Sequence, residues 1–101
     1  MKQDFEVLHT EGQDNGAFEA RCKGEEAGKL TYKKEGDDCL IVEHTTIEEC
    51  FQGQGVGRLL VDAVVSYARR QSLFVQPECS YVKALFERVP DFQDVWVKAS
   101  K

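Results

Sequence analysis

Gln52-Gly53-Gln54-Gly55-Val56-Gly57-Arg58 puts three glycines into five residues at the point where the pattern of the chain changes. Without a Cβ, a glycine backbone can pass close to a ligand and turn sharply. Upstream, Cys39 to Ile47 opens as a near-continuous apolar run through Val42, the signature of a strand covered on both faces. Downstream, from about Gly55 to Ser72, Val56, Leu60, Val64, Tyr67 and Ala68 recur at three- and four-residue spacing, and Leu59, Val61, Ala63 and Val65 widen the stripe. That spacing predicts an amphipathic helix. The first N–H groups of such a helix have no intrahelical partner and, with the helix dipole, form an anion site suited to phosphate or pyrophosphate. The plain alternative is a strand-to-helix turn with no ligand.

Two phosphate motifs fail on spacing. A Walker A loop needs Gly-Lys-Ser/Thr, whereas Arg58-Leu59 follows Gly57. A dinucleotide fingerprint needs GxGxxG at the start of a parallel βαβ unit, but here the third glycine comes one residue early and four antiparallel-looking strands come first.

Those strands are punctuated by turns. Phe5, Val7 and His9 alternate with polar residues, Asp14-Asn15-Gly16 turns, and Ala17 to Cys22 alternates again before Lys23-Gly24. Ala27 to Lys33 makes a third strand, with Leu30 and Tyr32 on one face, and Gly36-Asp37-Asp38 leads into the fourth. After the helix, Leu73 to Gln76 is a short fifth strand stopped by Pro77. A second helix runs from about Ser80 to Arg88, with Tyr81, Leu85 and Val89 inward, and Phe92 to Val97 supplies a last strand before a frayed tail. The order ββββαβαβ is an α+β fold, a mostly antiparallel twisted sheet with two helices, and residues 1–101 form one domain.

The bulk properties narrow the function. A net charge of −5 argues against a nucleic-acid or anionic-membrane partner, both of which need a basic face, and is compatible with a cationic one. No apolar run approaches the ~20 residues of a membrane span, and the start at Met1-Lys2-Gln3-Asp4 has no signal-peptide character, so a cytoplasmic location is expected. Cys22, Cys39, Cys50 and Cys79 include no CxxC pair, which leaves no zinc or redox motif. Reduced thiols are the expectation in that compartment.

Gln52, Gly55 and Gly57 match the pattern [Gln/Arg]-x-x-Gly-x-[Gly/Ala] that binds the coenzyme A pyrophosphate in the GNAT acetyltransferase superfamily. His44-Thr45 stands eight residues before Gln52, Pro77-Glu78-Cys79-Ser80-Tyr81-Val82 follows the fifth strand, and Val89-Pro90-Asp91-Phe92-Gln93-Asp94-Val95 comes near the end. In this series the chain resembles the compact GNAT-like group of about a hundred residues, most strongly from Glu43 to Val95. It departs in two places: Gln52 stands where that group more often has Arg, and Thr46 where an acidic residue is commoner.

The resemblance implies acetyl-coenzyme A as cofactor and an amine as acceptor. It implies that the backbone N–H groups of Gly53, Gln54, Gly55, Gly57 and Arg58, in the turn with Gln52 and Val56, hold the pyrophosphate. The pantetheine arm would lie along Thr45, Thr46 and Ile47, where strands four and five splay, and the thioester would point toward His44 and Cys79. A lysine acceptor, with pKa ~10.4, is neutral only about once in 2,500 at pH 7, which costs roughly 4–5 kcal/mol. His44 is the natural base and Glu43 a weaker one, because strand alternation points Glu43 away from the His44 face. Cys79 is either an acyl-accepting nucleophile, an acid toward the leaving thiolate, or a packing residue. Tyr81 is a second candidate acid, against an ordinary core role. Larger relatives wall the acceptor site with N-terminal helices; this chain has strands there, which favours an open site and a bulky acceptor such as a protein amine. The alternative function is a non-catalytic acyl-coenzyme A-binding or sensing module.

Overall fold

A computed structural model describes residues 5–96. Strands β1 (Phe5–Glu11), β2 (Asn15–Cys22), β3 (Glu25–Glu35) and β4 (Cys39–Ile47) form an antiparallel meander. A 3-10 turn over Glu49–Phe51 leads through the glycines into α1 (Val56–Gln71), which crosses over to β5 (Phe74–Pro77). There β5 pairs parallel with β4, completing a sheet in the order β1-β2-β3-β4-β5. Helix α2 (Ser80–Arg88) and a 3-10 segment (Pro90–Val95) follow.

The alternation read from the sequence sorts the sheet into two faces. Phe18, Ala20, Leu30, Tyr32, Leu40, Val42 and Val75 are buried on one face, and Leu60, Val61, Val64, Val65 and Ala68 of α1 belong to the same core cluster. Burying each large side chain of this kind stabilises the fold by about 1.5–3 kcal/mol. On the other face Lys29, Lys33, His44, Thr46 and Phe74 are exposed. A Cβ at Gly28 would stand 2.9 Å from Val56 Cγ1 and 3.0 Å from Ile47 Cδ1, so this glycine lets β3 meet the start of α1.

Two expectations change. The last strand over Phe92–Val97 is instead a 3-10 segment as far as Val95, with one parallel bridge between Trp96 and Val75; Val97 and the frayed tail lie outside the described residues. Phe92 and Val95 are three apart and both buried, a spacing that suits a 3-10 turn and not a pleat. Arg69 Nε and NH2 grip the Asp94 carboxylate, each at 2.9 Å, and tie this segment to α1. The second correction concerns α2, whose buried face is Val82, Leu85 and Phe86, while Tyr81 is 43% exposed.

One polar cluster was not anticipated. Glu11 accepts hydrogen bonds from Tyr67 Oη at 2.9 Å and Lys34 Nζ at 2.7 Å, and His9 Nε2 lies 2.7 Å from Tyr32 Oη. The His9 ring stacks on Phe18 with centroids 4.1 Å apart. The cluster joins β1, β3 and α1 beyond the glycine turn's end of the helix.

Candidate functional site

The backbone supplies the first half of the site. Gly53 and Gly55 adopt φ of 83° and 82°, the left-handed region that only glycine enters without strain. Gly55 is the N-cap of α1 and makes no side-chain cap, so the first N–H groups of this 16-residue helix stay available. A Cβ at Gly53 or Gly55 would meet nothing within 4 Å, which leaves an open cradle above the turn.

The second half comes from the way β4 and β5 part. Their ladder ends at Val42↔Pro77, and the Val42 carbonyl then accepts hydrogen bonds from the N–H groups of Glu78 at 2.9 Å and Cys79 at 3.3 Å. Beyond this point β4 continues alone on that side. The gap and the cradle together form a groove of about 540 Å³, lined by Thr45, Ile47, Phe51, Gln52, Gly53, Gly55, Val56, Gly57 and Tyr81.

Within the groove the buried Thr45 Oγ1 has no regular hydrogen-bond partner. An orphaned hydroxyl beside a glycine cradle is the kind of group a bound polar ligand satisfies. Cys79 sits at the N-cap of α2. Burial pushes its thiol up, but the N–H groups of Val82 and Tyr81 and the Thr45 hydroxyl favour the thiolate more strongly, so its pKa falls below the ordinary value. The Val82 N–H contributes most, and the Thr45 hydroxyl, though it makes no regular hydrogen bond, still faces the thiol.

The remaining expected residues are distributed as follows. Thr45, Ile47, Gln52, Gly53, Gly55, Val56, Gly57 and Tyr81 come together in the groove. Gln52 turns back, its Nε2 donating to the Ile47 carbonyl at 3.4 Å, and Gln54 Nε2 donates to the Cys50 carbonyl at 3.3 Å. The Arg58 side chain lies along α1, with Nε 3.2 Å from Asp62 Oδ1 and its guanidinium over the Phe92 ring, so only its backbone faces the turn. His44 and Thr46 stand on the other, open face of the sheet.

That placement carries a correction. Thr31 pairs with His44 and Tyr32 with Val42, so Glu43 is the extra residue of a β-bulge. The bulge breaks the alternation expected to separate Glu43 from His44. The Glu43 carboxylate instead lies 4.0 Å from Lys33 Nζ on the open face and lines a shallow depression there with Lys29 and Thr31. No group of three or more metal-ligating side chains occurs among the described residues. No described helix is long and apolar enough to cross a membrane.

The family model described as GCN5-related N-acetyl-transferase matches residues 17–95. No curated protein sequence matches significantly. Among solved structures, a GCN5-like protein from Staphylococcus aureus is 26% identical, with a TM-score of 0.71, and the match covers 92% of this chain and 90% of that one. The ribosomal-protein-alanine N-acetyltransferase of Brucella melitensis biovar Abortus shares the fold at 16% identity, with a TM-score of 0.66 and coverage of 100% and 95%. A GNAT family acetyltransferase from Elizabethkingia anophelis, solved with acetyl-CoA bound, gives a TM-score of 0.63 at 16% identity over 74% of this chain and 52% of that chain.

Proposed function

The chain belongs to the GCN5-related N-acetyl-transferase family, and from that premise we propose that it transfers an acetyl group from acetyl-coenzyme A to an amine. The observation that carries this reading is the empty-handed N-terminus of α1, where two left-handed glycines open a cradle beside the gap between β4 and β5. Donors fixed in that geometry suit a pyrophosphate, and the groove they open into is lined by Thr45, whose side chain neighbours Cys79.

Acetyl-coenzyme A supplies the acyl group as a thioester. The backbone N–H groups from Gly53 to Arg58 bind its pyrophosphate, and the main chain of Thr45, Thr46 and Ile47 orients the pantetheine arm. The acceptor approaches from the open face, so donor and acceptor meet through the gap beyond Val42. His44, exposed on the acceptor side, takes the proton from the ammonium, with Glu43 beside it on the same face. As the N–C bond forms and the C–S bond breaks, Cys79 or Tyr81 gives a proton to the leaving sulfur. An open face that no described helix covers accommodates an amine carried on a protein.

The test is amine-dependent release of thiol from acetyl-coenzyme A, screened over lysine peptides, N-terminal peptides and small polyamines. With an active acceptor in hand, His44→Ala lowers kcat by about a hundredfold, the low end for a general base, and leaves coenzyme A affinity unchanged. An unaltered kcat removes His44 from the chemistry. Binding of coenzyme A with no turnover on any amine would instead favour the acyl-coenzyme A-binding module.

A further inference from the structure

The groove holds a side chain of the protein itself. A Cβ placed on Gly57 would stand 2.7 Å from Cε2 and Cζ of Tyr81, and nearer still to its hydroxyl. The phenol ring therefore rests directly on the first turn of α1, one residue after Val56 and two after the N-cap. Tyr81 is 43% exposed, and its hydroxyl has no hydrogen-bond partner among the described residues. A ring held by contact alone, at the edge of a groove, can swing out at little cost. Gly57 has an ordinary φ, so glycine is not demanded there by the backbone. It is demanded by the ring.

We propose that Tyr81 is a gate on the cofactor groove, with Gly57 as the seat on which it closes. This rests on the reading of the groove as the coenzyme A site, and it adds a step to it. In the free protein the ring occupies the Gly57 edge of the groove, so a ligand that fills the groove waits on the open rotamer. The apparent association rate is then the intrinsic one scaled by the open fraction. The pattern shared with the family admits Ala at its last position. In this chain an alanine at residue 57 would occupy the seat and hold the gate open, which makes residues 57 and 81 a coupled pair.

The experiment is the association rate constant of coenzyme A over immobilised protein, by surface plasmon resonance, for wild type, Tyr81→Phe, Tyr81→Ala, Gly57→Ala and the Gly57→Ala, Tyr81→Ala double variant. Tyr81→Phe keeps the ring and the wild-type rate. Tyr81→Ala and Gly57→Ala each raise it by about threefold or more, and the double variant is no faster than Tyr81→Ala alone, because both changes act on one ring. Rates for Tyr81→Ala and Gly57→Ala equal to wild type overturn the gate, as does full additivity in the double variant. Tyr81→Phe also separates the gate from the proposed acid, since an acid role lowers kcat while leaving association untouched. Absence of coenzyme A binding by wild type and all variants is a different outcome: it rejects the groove as a coenzyme A site, and the gate with it.

Discussion

The carbonyl of Val42 accepts the backbone N–H of Cys79 at 3.3 Å, and this is where the sheet opens. Val42 is the last β4 residue paired with β5. Cys79 is the N-cap of α2. One hydrogen bond thus pins Cys79 to the corner where the two strands part, beside the open face. Several consequences can be measured.

Cys79 and Cys39 are both partly buried, yet their thiols move in opposite directions. Burial, then Glu35 and Asp38, push Cys39 up, whereas helix N–H groups outweigh burial at Cys79. A lowered pKa puts the thiolate within reach at lower pH. In a pH series with iodoacetamide followed by peptide mapping, Cys79 is alkylated ahead of Cys39 and its rate inflects at lower pH than that of Cys39. Thr45→Val moves the Cys79 inflection upward.

His9 links stability to pH. Burial lowers its pKa from 6.5, opposed by Glu11 and assisted by Lys34 and Arg70. The folded state therefore binds this proton more weakly than the unfolded chain. Its contribution is fully present above 6.5 and is lost as pH falls below that value toward the depressed folded pKa. Urea midpoints measured from pH 7.5 to 5.5 fall with acidity in the wild type, and His9→Asn flattens that slope.

Leu60 is fully buried where α1 meets the sheet. Leu60→Ala removes apolar contact and leaves a cavity, at a cost of about 3 kcal/mol. For a domain of this size that lowers Tm by roughly 10–20 °C, measurable by circular dichroism. Phe74→Ala, a truncation on the open face where the ring is 45% exposed, shifts Tm by only a few degrees.

The four-strand meander and α1 were legible because their patterns are long. β3 alternates over many residues, β4 opens on an unbroken apolar run, and the α1 stripe persists for 16 residues. The glycine turn was legible because it sits between two unambiguous elements. Short segments misled. Phe92 to Val97 offers too few residues to distinguish a pleat from a 3-10 turn, and the Arg69–Asp94 pair that decides it is formed by residues 25 apart. In α2, Tyr81/Leu85/Val89 and Val82/Leu85/Phe86 both fit a helical period, and only packing selects the second. The bulge at Glu43 has no local signal, since it arises from the pairing of β4 with β3. The same holds for Gly57, whose partner Tyr81 is distant in sequence.

The proposed function stands or falls with coenzyme A binding at the turn from Gln52 to Gly57. Thermal melting tests it most directly, with acetyl-coenzyme A, coenzyme A, ATP and NAD in parallel, on wild type and Gly55→Trp, each judged against its own ligand-free baseline. Ligand at a hundred times its Kd stabilises the folded state by about 2.7 kcal/mol, which raises Tm by roughly 10 °C or more in a domain of this size. That rise is expected with both coenzyme A forms in the wild type, with little for NAD and none in Gly55→Trp, whose indole fills the cradle. No shift of the wild type at millimolar coenzyme A would contradict it and leave the glycines as a turn between a strand and a helix.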